Sequence, residues 1–103
     1  MGKEDRLLTD VSYALAKNHD KARFHAENGR CVSAGFVVER HSDANAARVS
    51  YRFKDGSREE TNGIRILETI LGNYITTLQK AGFRAEMFYG GHTNRPFLKV
   101  VKP

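Results

Sequence analysis

The chain has 103 residues, 40% of them hydrophobic and 28% charged, a composition that fits one folded domain and argues against a disordered chain. No apolar run approaches the ~20 residues of a membrane-spanning helix, and the first residues lack the apolar stretch of a signal peptide, so we expect a cytoplasmic protein. The single cysteine, Cys31, excludes an intrachain disulfide and a thiolate zinc cluster within one chain.

The net charge of +5 is unevenly distributed along the sequence. Residues 1–50 contain eight Lys or Arg against seven Asp or Glu, whereas residues 51–103 contain nine against five. A basic balance favours polyanions or acidic protein surfaces as partners through long-range attraction. The alternative is that the charge only keeps the protein soluble.

The first predicted element is an amphipathic helix over residues 4–18. Apolar residues recur there at helical spacing and form one face, made of Leu7, Leu8, Val11, Ala14 and Leu15. The polar residues 19–30 follow without a predicted helix or strand, and Asn28-Gly29 indicates a turn because both residues tolerate positive φ.

The next two elements form a predicted β-hairpin. A strand over 31–40 begins at Cys31, whose apolar surroundings predict a small buried side chain rather than a nucleophile. After a loop at 41–46, residues 47–54 alternate between apolar and polar side chains without a break. One face of this strand receives Ala47, Val49, Tyr51 and Phe53, and the other receives Arg48, Ser50, Arg52 and Lys54. The strand is therefore predicted to be half-buried, with a basic solvent side.

A second amphipathic helix is predicted from an apolar stripe made of Leu67, Ile70, Leu71, Tyr74, Ile75 and Leu78. Its start has two candidate signals, a capping box at 57–60 and Asn62 as the cap, and both alternatives stay open. Gly82 is predicted to end the helix, with Phe83 packing back on the last turn. Gly72 inside the helix costs ~1 kcal/mol relative to Ala, which close packing against a neighbour would explain.

A second hairpin ends the chain, with predicted strands over 84–89 and 97–102 and a loop over 90–96. The element order α-β-β-α-β-β resembles two copies of a helix-hairpin unit, although residue similarity between the halves is poor. We predict a single α+β domain over residues 1–103 with two layers, a four-stranded antiparallel sheet and two helices on one of its faces. The other face of the sheet would then be open.

That open face is the first candidate binding surface. Its predicted residues are Arg40, Arg48, Arg52 and Lys54, with Phe36 or Val38 interleaved according to the register. Cations that hold phosphates beside aromatic rings that stack on bases can bind single-stranded nucleic acid. The alternative is an ordinary solvated face, and the sequence has no aromatic-rich RNA-recognition motif.

The loop at 90–96 is the second candidate surface, because it is longer than a turn requires. Backbone N–H groups of Gly90 and Gly91, together with an arginine, can bind phosphate. The predicted contact residues are His92, Arg95 and Lys99. The loop is not a P-loop, because no Lys-Ser/Thr and no helix follow the glycines, and its composition is also that of a plain turn.

These patterns predict a small basic binding protein without catalysis, cofactor, metal site or membrane partner, and nucleic acid is the first choice of ligand. The alternative is an adaptor or inhibitor that docks on another protein through the loop and the sheet edge, and a homodimer would form if an outer strand paired with a second copy. A less favoured alternative is a hydrolase or nuclease with His92 as base and Arg95 as anion stabiliser, for which Glu86 is the only acid in the last hairpin.

Overall fold

The computed structural model describes residues 3–56, 63–91 and 94–103. In chain order its elements are α1 (Lys3–Ala16), β1 (Arg23–Phe24), β2 (Cys31–Ser33), β3 (Gly35–Arg40), β4 (Ala46–Arg52), α2 (Gly63–Lys80), β5 (Arg84–Gly90) and β6 (Arg95–Val101). Helices and antiparallel strands combine in an α+β fold, which confirms the predicted fold class. Neither of the described helices is long and apolar enough to cross a membrane.

The main sheet of the described chain has four strands in the order β3-β4-β6-β5, antiparallel throughout. The two hairpins therefore lie side by side, with the later strand of each at the centre of the sheet. Val49 is the register partner of Leu98, and Arg48 is the partner of Lys99. We call the face that carries Val49 and Leu98 the inner face, and the face that carries Arg48 and Lys99 the outer face.

Both helices pack on the inner face of the sheet and share one hydrophobic core with it. The buried cluster contains Leu7, Val11, Ala14, Leu15, Phe36, Ala47, Val49, Leu71, Tyr74, Leu78, Ala85, Leu98 and Val100. The predicted helical stripes and the predicted alternation of β4 account for most of these residues. Burial of each large apolar side chain contributes about 1.5–3 kcal/mol relative to leaving it in water.

The prediction of one continuous strand over 31–40 is wrong, because the chain divides there into β2 and β3. The chain after α1 pairs with β3 through a parallel bridge between Lys21 and Phe36, next to Gly35. The Phe36 N–H donates to the Asp20 carbonyl, and the Ala22 N–H donates to the Phe36 carbonyl, both at 3.0 Å. A Cβ at residue 35 would lie 2.5 Å from the Ala22 backbone nitrogen, so only glycine permits this approach.

Strands β1 and β2 form a small second sheet that is tied to the end of β4. The Cys31 N–H donates to the Asp55 carboxylate at 3.1 Å, and the Asp55 N–H donates to the Cys31 carbonyl at 3.0 Å. The Cys31 side chain is 2% exposed and its thiol donates to the Ser33 carbonyl at 3.4 Å. Cys31 is therefore the small buried side chain that the sequence predicted.

The C-terminal end of α2 also follows the prediction. Gly82 has a φ of 93°, and its N–H donates to the Gln79 carbonyl at 3.1 Å. The Phe83 N–H donates to the Leu78 carbonyl at 2.9 Å, and the Phe83 side chain packs against the core. These two hydrogen bonds and the apolar contact form a Schellman motif.

Gly72 does not make the close contact that the sequence suggested. Among the described residues, nothing lies within 4 Å of a Cβ built on Gly72, so the expectation of tight packing there is wrong. The glycine therefore lowers the stability of the helix without a gain in packing. The two candidate start signals of α2, at 57–60 and at Asn62, lie outside the described residues.

The connection between β5 and β6 is shorter than predicted. Gly90 pairs with Arg95, which extends both strands into the range predicted as loop. Residues 91–94 make the connection, and Gly91 and Asn94 have φ values of 79° and 50°, as tight turns often require. The expectation of an unusually long loop is wrong because strand pairing continues closer to the turn than the side-chain pattern indicated.

His19 holds the end of α1 against α2. Its ring centroid lies 4.6 Å from that of Tyr74, and its Nε2 is hydrogen-bonded to the Thr77 hydroxyl at 2.8 Å. Burial lowers the pKa of His19, and the charge of Asp20 opposes part of this effect. The neutral imidazole is therefore the form that this contact between the helices favours.

Candidate functional site

The outer face carries charged and aromatic side chains, and the two described helices lie on the opposite side of the sheet. By register, its strand residues include Val37, Glu39, Arg48, Ser50, Arg52, Arg84, Glu86, Phe88, Arg95, Phe97 and Lys99. Five of these strand residues are cations and two are carboxylates, so together they carry a net charge of +3.

Two phenylalanine rings and an arginine form a cluster at the centre of the outer face. The guanidinium carbon of Arg48 lies 4.5 Å from the centroid of the Phe97 ring, within the range of a cation–π interaction. Phe97 stacks with Phe88 at 6.2 Å between centroids and 28° between ring planes. Phe88 is 40% exposed, so this aromatic surface is open to a ligand.

An open groove of about 580 Å³ lies beside Arg48 and Phe97 of this cluster, and we call it the outer groove. It is lined by Arg40, His41, Ser42, Arg48, Gly90, Gly91 and Phe97. A Cβ on residue 90 would lie 3.2 Å from Cε1 of Phe97, so Gly90 lets the ring lie close to the backbone of β5. Residues of both hairpins therefore build the groove.

The loop after β3 is anchored over the outer face. The His41 ring centroid lies 6.1 Å from that of Phe97, and its Nδ1 accepts a hydrogen bond from the Asp43 N–H at 2.9 Å. The Asp43 carboxylate accepts a hydrogen bond from Lys99 Nζ at 2.6 Å. This hydrogen bond and the charge of Lys99 lower the pKa of Asp43. Lys99 is thus already engaged with an anion of the protein.

A second arginine–phenylalanine pair lies further along β4. The guanidinium carbon of Arg52 is 5.7 Å from the centroid of Phe24, which is 44% exposed on β1. Arg52 also lies 3.5 Å from the Asp55 carboxylate. Arg48 and Arg52 are four residues apart on one strand, which corresponds to about 13 Å. The outer side of β4 therefore presents two separate combinations of a cation and an aromatic ring.

The structure brings four predicted contact residues together on the outer face, Arg48, Arg52, Arg95 and Lys99. The expectation that Arg40 projects from this face is wrong, because its register partner is the buried inner-face residue Ala47. Arg40 nevertheless lines the outer groove, at the end of β3. Lys54 lies beyond the end of β4 and lines a separate cleft beside β2. His92 lies outside the described residues.

The aromatic residues of the outer face are not those that the sequence suggested. Phe36 is 0% exposed and Val38 packs against the core, so neither is interleaved with the cations. Sequence reasoning missed Phe88 and Phe97. Alternation carried a usable signal, because a solvent-facing Lys99 places Phe97, two residues earlier, on the same face of its strand.

Neither metal-binding side chains nor similarity to known proteins indicates a function. Within the ranges that the structure describes, no group of three or more His, Cys, Asp or Glu side chains could hold a metal ion. Comparison with protein-family models, with curated proteins and with solved structures found no match. The chemistry of the described surface is therefore the remaining guide to function.

Proposed function

We propose that this chain is a small non-enzymatic protein that binds nucleic acid on the outer face of its sheet. The observation that carries the proposal is the Arg48 guanidinium 4.5 Å over the Phe97 ring, which stacks in turn on the exposed Phe88. A cation beside accessible rings meets both needs of such a ligand, because phosphates require positive charge and bases stack on aromatic faces.

The position of the charges supports a polyanionic ligand. Glu39 lies opposite Arg48, and Glu86 lies opposite Lys99, which also binds the Asp43 carboxylate, so this row across the sheet has no positive excess. The positive excess of the outer face therefore lies on either side of this row, in Arg52, Arg84 and Arg95. A nucleic-acid backbone that crosses the face would meet this excess on both sides of the aromatic cluster.

The contact residues differ in how readily they can hold a phosphate. Lys99 becomes a phosphate contact only if the ligand replaces the Asp43 carboxylate, which is 2.6 Å from its Nζ. Arg52 has an Asp55 oxygen at 3.5 Å, beyond ordinary hydrogen-bond length, so it is less firmly engaged. We therefore assign Arg48, Arg52 and Arg95 as the main phosphate contacts and Lys99 as a secondary one.

The proposal is tested by fluorescence anisotropy with a labelled single-stranded oligonucleotide and with its duplex, each titrated with the full chain at low and moderate salt. Three or four phosphate contacts should lower the affinity about 20- to 150-fold between 50 and 200 mM salt. If neither oligonucleotide binds at low salt, or if added salt leaves the affinity unchanged, the proposal is wrong.

A pair of arginine variants locates the binding surface. Arg48→Gln should weaken binding and reduce the slope of log affinity against log salt by about 1. Arg65→Gln, which changes an exposed arginine on α2, should leave both quantities unchanged. Equal losses in the two variants would place the binding elsewhere than on the outer face.

A second candidate function, docking on another protein, is favoured by the edge strand β5. At the opposite edge of the sheet, the chain after α1 joins β3 through a bridge between Lys21 and Phe36, whereas the described chain has no strand beyond β5. A free strand edge can pair with a strand of a partner or of a second copy. A protein that remains bound after nuclease treatment of an extract, and is lost in an Arg84→Glu variant, would favour this alternative.

A further inference from the structure

We infer that the outer face selects unpaired nucleic acid over duplex, because Phe88 and Phe97 form a platform on which unpaired bases stack. This inference rests on the proposed function and names the class of nucleic acid that the face takes. Phe88 and Phe97 are register partners on β5 and β6, so the platform belongs to the paired sheet and not to a loop. Its two rings are therefore held in place before a ligand arrives.

The two rings have different roles in this platform. Phe97 is covered by the Arg48 guanidinium at 4.5 Å and lies against the backbone of Gly90, so it is the supporting ring. Phe88 is 40% exposed and is the ring that an incoming base would meet. The angle of 28° between the ring planes allows one base to lie nearly parallel to both rings.

The exposed ring of Phe88 and its stacked partner Phe97 give the outer face a surface that suits the faces of bases. In a duplex the base faces are stacked on one another, and sequence is read at base edges by a helix or β-ribbon inserted into a groove. Helices α1 and α2 pack on the inner face, away from the aromatic platform. Unpaired bases expose their faces, and stacking on aromatic side chains tolerates any base.

Polar groups at the rim of the outer groove would complete the contact with a single strand. The Nδ1 of His41 accepts from the Asp43 N–H, which leaves Nε2 as the donor nitrogen of the neutral ring. His41 and Ser42 line the groove together with Gly91. These groups can contact base edges or phosphates once a base lies on Phe88.

The inference is tested with a fluorescein-labelled oligothymidylate of about 20 nucleotides and a labelled duplex of equal length, titrated with the full chain at one salt concentration. The single strand should bind at least ~10-fold more tightly than the duplex, and Phe88→Leu should lower its affinity by about 5- to 100-fold while leaving duplex binding unchanged. Circular dichroism should show the same secondary structure for the variant and the wild type.

Tyr13→Leu is the matched control. Tyr13 is 69% exposed on α1 with Lys17 Nζ 5.0 Å from its ring centroid, so it has the same combination of ring and cation away from the outer face. Its replacement should not change binding. Equal affinity for single strand and duplex, or an unchanged single-strand affinity in Phe88→Leu, would overturn the inference but not the proposed function. Equal losses in the Phe88 and Tyr13 variants would overturn both, because they would place the binding elsewhere than on the outer face. Failure of both oligonucleotides to bind would overturn the proposed function itself.

Discussion

The two faces of the sheet consist of alternate residues of the same strands, yet they differ in burial, charge and exposure. On the inner face, Val49, Leu98 and Val100 are 0% exposed and pack beneath both helices. On the outer face, their neighbours Arg48 and Lys99 carry charge and lie beside aromatic rings and carboxylates. A register shift of one residue would exchange the two sets, so the same pairing that builds the core also assembles the candidate site.

The largest effect is expected from a cavity on the inner face. Leu98→Ala should lower the free energy of unfolding by about 2–5 kcal/mol, because Leu98 is 0% exposed at the centre of the core. Ser50→Ala, on the outer side of the adjacent strand, should change it by less than about 0.5 kcal/mol. Urea denaturation measures the free energy of unfolding of both variants. Similar losses would contradict the expectation that inner-face side chains stabilise the fold more than outer-face side chains do.

Gly35 is an outer-face position that should behave like a core position. Gly35→Ala places a Cβ 2.5 Å from the Ala22 backbone nitrogen, so the chain after α1, which pairs with β3 there, must shift. We expect a loss of about 1–3 kcal/mol in the free energy of unfolding. The comparison with Gly72→Ala is informative, because a Cβ at Gly72 meets no described atom within 4 Å. A neutral effect of Gly35→Ala would contradict the close approach.

A smaller loss of stability is expected when the pH is lowered, and it should come from His19, which contacts α2. Burial lowers the pKa of His19 in the folded protein, whereas the unfolded chain keeps a value of about 6.5. Below pH 6.5 the unfolded state therefore binds the proton first, and the free energy of unfolding falls until the folded pKa is passed. Urea denaturation between pH 7 and 5 should show a weaker fall in His19→Gln than in the wild type, and no such change in a variant of the exposed His25.

The smallest effect is expected from a substitution of Gly72, where α2 makes no close contact with the described residues. This substitution should increase the stability of the protein. Gly72→Ala should raise the free energy of unfolding by about 0.5–1 kcal/mol, because alanine favours the helix and finds open space there. Thermal unfolding followed by circular dichroism at 222 nm would show the shift. A lower melting temperature would indicate that the glycine has a packing role that the structure does not show.

Much of the fold could be predicted because its signals are local. The alternation in β4 and the helical stripes give the inner face directly, and Gly82 followed by Phe83 predicts the end of α2. The break between β2 and β3 has no comparable signal. It depends on contacts of Gly35 and Phe36 with the chain after α1, and nothing in the sequence pattern identifies that partner.

The candidate site was predicted only in part, for the same reason. Arg48 and Arg52 follow from the alternation of one strand, but their position beside Phe97 and Phe24 depends on pairing between distant segments. The hydrogen bond between Lys99 and Asp43 joins residues 56 positions apart. The sequence therefore identified four of the five outer-face cations and missed Arg84. It identified neither the rings beside these cations nor the Asp43 carboxylate that binds Lys99.

The central place of β6 in the sheet has a consequence for how the chain assembles. Each hairpin can close on its own, but the centre of the sheet forms only when residues 46–49 of β4 meet residues 98–101 of β6. The segment before α2 thus separates two complementary halves, each made of a helix and a hairpin. Because the outer groove takes residues from both halves, any molecule that fills it bridges them and opposes their separation.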